Sequence, residues 1–154
     1  VDPVQVWSAP VEFLASELPF LGAFDHWPPL AVMSEIWAED GIGPARIAVM
    51  ERVAGPKTAI LGRVSDRPAG AGFVAVHQNT AMVHALTVLK AHRRKGCAIN
   101  MLTAAANWAQ LVGATDLALF VTRGNLPANT LYASLGMETV GHYHYREKQP
   151  ARGT

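Results

Sequence analysis

The stretch that most restricts the fold runs from Lys57 to Val121, because its hydrophobic pattern changes from strand-like to helical at Gly96 and back to strand-like after Gly113. Before that point three strand-like runs, Lys57 to Val64, Gly72 to His77 and Met82 to Leu89, are separated only by turn chemistry at Asp66-Arg67-Pro68-Ala69-Gly70 and at Gln78-Asn79-Thr80. Links this short join antiparallel neighbours, so the three runs should form a meander. After Gly96 the apolar residues Ala98, Met101, Leu102, Ala105 and Ala109 recur at helical spacing to about Val112, and Gly113 suits the helix C-terminus. Leu117 to Val121 then reads as a buried strand. A helix over Pro127 to Leu135, ended by Gly136, and a strand over Met137 to Tyr145 follow. On that strand Tyr143 and Tyr145 alternate with His142 and His144. The order of elements implies a mixed α/β sheet.

Upstream the signals are weaker. Val4-Gln5-Val6-Trp7 reads as a short strand and Val11 to Leu18 as a short helix. Leu30 to Ala38 reads as a helix after the break at Pro28-Pro29. Gly43-Pro44 opens another helix, to about Val53, with Ile47 and Met50 on its apolar face. Trp27 and Trp37 are large surfaces whose ordinary use is core packing, with lining of a substrate pocket as the other reading. The whole chain, 1–154, is expected to be a single domain: an acceptor-side segment 1–41, a core 42–146 and a tail 147–154. At this size folding buries about 70% of the unfolded surface, so no staple is needed.

Two long stretches lack formal charge, but neither reads as membrane-spanning, which takes about 20 predominantly apolar residues. Residues 68–89 are broken by the turn at Gln78-Asn79-Thr80, and residues 96–115 carry a polar stripe at Asn100, Thr103, Asn107 and Gln110. The opening Val1-Asp2-Pro3 lacks the order of a signal peptide, and the absence of an initial Met points to residues removed upstream. A soluble, reducing, cytoplasmic setting is the expectation. The single cysteine, Cys97, excludes an internal disulfide and a cysteine-built zinc site.

Charge is sparse, 16% against about 25% on average, and its net value is +1. Yet Lys90, Arg93, Arg94 and Lys95 put four positive charges within six residues, so the remainder of that +1 is −3. The loop sits between a strand and Gly96, at the start of a helix. A helix start presents unpaired N–H groups and a positive dipole end, and glycine lets a ligand approach the backbone closely. Arg93 to Ala98 therefore read as a pyrophosphate cradle, against the plainer reading of a solvated basic loop. Neither the P-loop string nor the G-x-G-x-x-G dinucleotide fingerprint is present.

Arg93-Arg94-Lys95-Gly96-Cys97-Ala98 resembles the R/Q-x-x-G-x-G/A signature of the GNAT superfamily of acetyl-CoA-dependent N-acetyltransferases. Asn125-Leu-Pro-Ala128-Asn-Thr-Leu131-Tyr132-Ala-Ser-Leu135-Gly136-Met137 is similar to that family's N-x-x-A-x-x-L-Y-x-x-L-G-F block. The match covers residues 57–146 well and 1–41 poorly; Lys90 and the Cys97-Ala98 ending depart from the usual pattern. The resemblance implies a mixed, mostly antiparallel central sheet with helices on both faces and a splayed central strand pair. It implies acetyl-CoA as cosubstrate, with the pyrophosphate on Arg93, Arg94, Lys95, Gly96, Cys97 and Ala98. Asn125 and Tyr132 of the second block belong to the same site. The pantetheine arm would pair with backbone groups of Leu86, Thr87 and Val88, where a β-bulge would free an N–H to polarise the thioester carbonyl. No metal is called for.

Tyr132 is the implied acid for the departing thiolate, against simple packing beside Leu131 and Leu135. His84-Ala85-Leu86-Thr87-Val88 is similar to the His-Ala-Leu-Ala-Val run of serotonin N-acetyltransferases, which makes His84 the candidate base, against a structural histidine. Strand alternation puts His84 and Leu86 on one face. His142-x-His144 reads as a strand-face pair, and His92 as a loop residue or phosphate neighbour. The cations beside Cys97 would lower its thiol pKa, though direct transfer leaves it a small spacer. The expected activity is acetyl transfer to a primary amine of a small molecule or peptide. The alternative is a non-catalytic acetyl-CoA-binding regulatory module. Glu35, Glu39 and Asp40 would attract a cationic acceptor, or simply form a solvated helix end. The near-neutral total argues against nucleic acid, no membrane partner is expected, and low surface charge leaves room for a homodimer.

Overall fold

In a computed structural model that describes residues 3–19 and 22–142, the meander forms as β3 (Lys57–Val64), β4 (Arg67–His77) and β5 (Thr80–Val88). Upstream lie β1 (Val4–Pro10), α1 (Val11–Leu14), β2 (Ala23–His26), α2 (Ala31–Glu39) and α3 (Pro44–Arg52). Downstream follow α4 (Cys97–Leu111), β6 (Asp116–Thr122), α5 (Leu126–Ser134) and β7 (Glu138–His142). The sheet order is β2-β3-β4-β5-β6-β1-β7, antiparallel except for β5 beside β6. That parallel pair needs a crossover, and α4 supplies it.

The turns differ from the sequence expectation. The first hairpin closes at Ser65-Asp66 and the second at Gln78-Asn79. All four residues have positive φ, between 49° and 70°, the geometry that matches strand twist in two-residue hairpins. β4 therefore starts at Arg67 and includes Pro68 and Gly70, which the sequence reading had assigned to the turn. Pro68 is tolerated because the register against β3 shifts there, from Gly62↔Gly70 to Arg63↔Pro68. The helix expected over Val11 to Leu18 ends at Leu14, and β2, an edge strand, was not foreseen.

Strand alternation sends side chains into two cores. Ile60 and Val74 join Met101, Leu102 and Ala105 of α4, Trp7 of β1 and Tyr132 of α5 on one face. Ala59, Leu61, Ala71 and Phe73 join Met33, Ile36 and Trp37 of α2 and Met50 of α3 on the other. Helices thus cover both faces. α4 lies close on the sheet because two strand positions lack a Cβ. A methyl on Gly62 would stand 2.6 Å from Cys97 Sγ, and one on Gly70 would stand 2.7 Å from Met101 Sδ.

Candidate active site

Two features of β5 shape the site. First, its pairing with β6 runs only from Thr80↔Asp116 to Val83↔Leu119. β6 continues to Thr122, paired with β1 along its whole length. β5 also continues, paired with β4 to Gly70↔Val88. A wedge-shaped gap therefore opens in the sheet from His84 onward. Second, the β4–β5 register shifts between Ala71↔Thr87 and Phe73↔His84. Gly72 is opposed by both Ala85 and Leu86, which is a β-bulge, and Ala85 carries φ +54°.

The backbone directions follow. Leu89 N–H donates to Ala69 O at 2.8 Å, so the next mutually bonded pair along the ladder is Ala71↔Thr87. Thr87 turns its backbone groups toward β4, whereas Leu86 and Val88 turn theirs toward the gap. Of the expected stretch Leu86 to Val88, two residues line the opening with backbone and the third does not. Arg93 Nε–H closes one of these groups by donating to Val88 O at 2.9 Å. This folds the basic loop back against the edge of the gap.

The bulge also corrects the expected placement of His84. Its ring lies 6.2 Å from that of Phe73, a member of the α2–α3 core. Leu86 packs into the α4 core and over Gly72. One extra residue between regular pairings breaks the alternation, so His84 and Leu86 occupy opposite faces. His84 is a solvent-exposed residue with part of its ring buried beside Phe73. That burial, and secondly the Arg46 guanidinium of α3, hold its pKa below 6.5.

Beyond β5 a single 3₁₀ turn, Lys90–His92, precedes the loop. Arg94 and Gly96 both have positive φ, 64° and 80°. A Cβ on Gly96 would meet no atom within 4 Å. The first N–H groups of α4 are thus approachable past a residue with no side chain, with exposed Arg93, Arg94 and Lys95 beside it, which fits a pyrophosphate. Cys97 faces away from this surface. It is buried against Met101, 3.8 Å sulfur to sulfur. Burial pushes its thiol up to about 11, opposite to the lowering expected from the nearby cations. Its thiol is protonated at neutral pH, which disfavours a nucleophilic role and leaves it a spacer.

On the α4 face, Tyr132 is carried by α5 and is 7% exposed, its ring 6.3 Å from that of Trp7. Burial raises its pKa, which keeps the phenol protonated and able to donate. Asn125 caps α5 by accepting from Ala128 N–H at 3.2 Å. Asn129 clasps the helix to the sheet: its Oδ1 accepts from Trp7 Nε1 (2.8 Å) and Gln5 Nε2 (2.9 Å). Its Nδ2 donates to the carbonyls of Thr122, Arg123 and Asn125. Sequence reasoning did not single out Asn129. Its only signal was a place inside the second block.

The opposite face holds an open cleft of about 300 Å³ between α2 and the β4–β5 end. Val32, Ile36, Pro68 and Leu89 give it an apolar wall, Glu35, Glu39 and Arg67 its charges, and His92 completes the lining. Trp37, wholly buried, belongs to the core rather than to the cleft. Trp27, partly buried, packs 5.8 Å from Phe73. Among the described residues no three His, Cys, Asp or Glu side chains converge as metal ligands, and no helix is long and apolar enough to cross a membrane. Tyr143, His144, Tyr145 and the side chain of His142 lie outside the described residues.

The site is thus a mixed sheet that opens beside a bulged strand, with a helix start near the mouth of the opening. The sequence pattern described as the Acetyltransferase (GNAT) family matches residues 23–137, and the chain belongs to that family. A Bacillus subtilis (strain 168) relative, the uncharacterized N-acetyltransferase YobR, is 26% identical over 125 residues, 75% of this chain and 51% of its own. The chain thus spans about half the length of that relative. The fold is similar to a GCN5-related N-acetyltransferase from Kribbella flavida (TM-score 0.62, 22% identity, 90% of this chain and 55% of that one). It is also similar to AAC(6')-Iy in complex with the bisubstrate analog CoA-S-monomethyl-acetylneamine (TM-score 0.60, 16% identity, 80% of this chain and 92% of that one).

Proposed function

We propose that the chain is a single acetyltransferase domain that transfers the acetyl group of acetyl-CoA directly to a primary amine of a small molecule or peptide, in the cytoplasm. The observation that carries this reading is that β5 parts from β6 after Val83, beside a bulge, and runs on into the basic loop and the helix start at Gly96. Pyrophosphate fits the loop Arg93 to Ala98, and a pantetheine arm fits the backbone edge of Leu86 and Val88. The cleft on the α2 face, with Glu35 and Glu39 beside an apolar wall, supports a cationic acceptor with an apolar body. AAC(6')-Iy, seen with a bisubstrate analog, is compatible with amine transfer on this scaffold.

The chemistry follows from the two faces. The acceptor amine gives a proton to neutral His84 as its nitrogen attacks the thioester carbonyl carbon. The carbonyl oxygen becomes anionic and accepts a hydrogen bond from Leu86 N–H. The C–S bond breaks, the amide forms, and the CoA thiolate takes the Tyr132 proton. Solvent returns a proton from His84 to Tyr132. A thiol-release assay with acetyl-CoA across amines, amino acids, peptides and aminoglycosides tests the proposal, and turnover with at least one amine is expected. Acetyl-CoA binding with no turnover on any acceptor would instead support the regulatory module. Light scattering of the purified chain separates monomer from homodimer; Phe13, Leu111 and Leu126 are the most exposed large apolar side chains among the described residues.

A further inference from the structure

Ala85 holds a left-handed backbone conformation, φ +54°, at the bulge. An alanine keeps such a conformation only where its surroundings impose it. The imposing contact is visible: Trp37 Nε1–H donates to Ala85 O at 2.9 Å. Trp37 is fully buried in α2, and its indole offers one donor in one direction. The Thr87 hydroxyl is 3.3 Å from the same oxygen but 3.2 Å from Asp40 Oδ2. Its single proton serves one of the two, and the carboxylate is the stronger acceptor. The indole is therefore the committed donor to Ala85 O.

A trans peptide points its C=O and the following N–H in opposite directions. Because Ala85 O is drawn toward α2, the Leu86 N–H is turned away from α2, on the α4 side of the β5–β6 gap that Leu86 lines. We infer that Trp37 is a positioning residue for acyl transfer: its N–H sets the Ala85–Leu86 peptide so that Leu86 N–H is held ready for the thioester carbonyl. The same contact fixes the bulge that puts His84 on the acceptor face, so one buried indole aligns both the base and the oxyanion donor. This inference rests on the proposed acetyl transfer.

Trp37→Phe keeps an aromatic ring in the core and deletes the donor. Benzothienylalanine placed at position 37 keeps the bicycle and deletes only the N–H, which covers the case in which Trp37→Phe fails to fold. In either variant kcat is expected to fall at least about 10-fold, since losing a complete oxyanion donor costs about 10²–10³-fold. Affinity for free CoA, which has no acetyl oxygen, should change less than about threefold. In the parent protein the Leu86 amide resonance should shift between the CoA and acetyl-CoA complexes, and this acetyl-dependent shift should vanish in the variant. An unchanged kcat, a CoA affinity that falls in step with kcat, or a retained Leu86 shift would each overturn the inference. Failure of the parent protein to bind acetyl-CoA would instead count against the proposed function.

Discussion

Tyr132 and His84 stand on opposite faces of the sheet, and burial moves their pKa values in opposite directions: the phenol up, the imidazole down. Both shifts favour the neutral form at pH 7, in which a phenol can donate and an imidazole can accept. Tyr132→Phe should slow turnover about 10²–10⁴-fold, with acetyl-CoA affinity by calorimetry nearly unchanged. An unchanged rate would remove Tyr132 as the acid. For His84, the acid limb of kcat/KM should have its midpoint below 6.5. Arg46→Met should move it upward, because removing a nearby cation makes protonation easier. The same lowering links to folding. The unfolded chain binds the proton more readily, so this group's stabilisation is present above about pH 6.5 and is lost as pH falls through the folded-state pKa. The candidate residues Tyr132 and the Arg93-to-Ala98 loop were legible in the sequence because they sit in recognisable blocks. The face of His84 was not, because a bulge changes alternation without leaving a mark in residue type. The reversal at Cys97 was hidden for a similar reason: cations adjacent in sequence point outward while the thiol points into the core.

Among the elements, α4 and β5 depend on glycines of two different kinds. A methyl on Gly70 would lie 2.8 Å from the Thr87 carbonyl, which is backbone and cannot swing aside. Gly70→Ala should cost about 1–3 kcal/mol, a drop of several degrees in Tm by calorimetry, and should weaken acetyl-CoA binding by displacing the gap edge. Gly96→Ala meets no atom but inherits φ +80°. It should cost only about 1 kcal/mol while raising the acetyl-CoA Kd, so the ratio of binding loss to stability loss should be larger at Gly96. Equal ratios would argue that the loop backbone is not the contact surface. Element types were largely readable: α4, β6 and α5 begin and end within about a residue of the expected limits. Their register was not, and β2, four residues with polar Asp25 and His26 at its end, carries too little apolar pattern to be seen.

For the molecule as a whole, the sheet order was the least legible property. β1, first in the chain, lies between β6 and β7, a long-range pairing that local pattern does not encode. The gap between β5 and β6 makes ligand binding and stability one measurement. At 100 times its Kd, acetyl-CoA should stabilise the fold by about 2.7 kcal/mol, or roughly 5–10 °C in Tm for a chain of this size. Dephospho-CoA, lacking the 3′-phosphate, should give a smaller shift, and added salt should narrow the difference between the two if the basic loop is the contact. Equal shifts at every salt concentration would move the phosphate site elsewhere.

Cys97 adds a property unrelated to transfer. Sealed between α4 and two strand glycines, with its thiol raised to about 11, it should stay silent to disulfide reagents in the native protein. A colorimetric reading of released CoA is then free of background from the protein itself. Conversely, the slow labelling of that one sulfur serves as an internal clock for how often α4 lifts off the sheet.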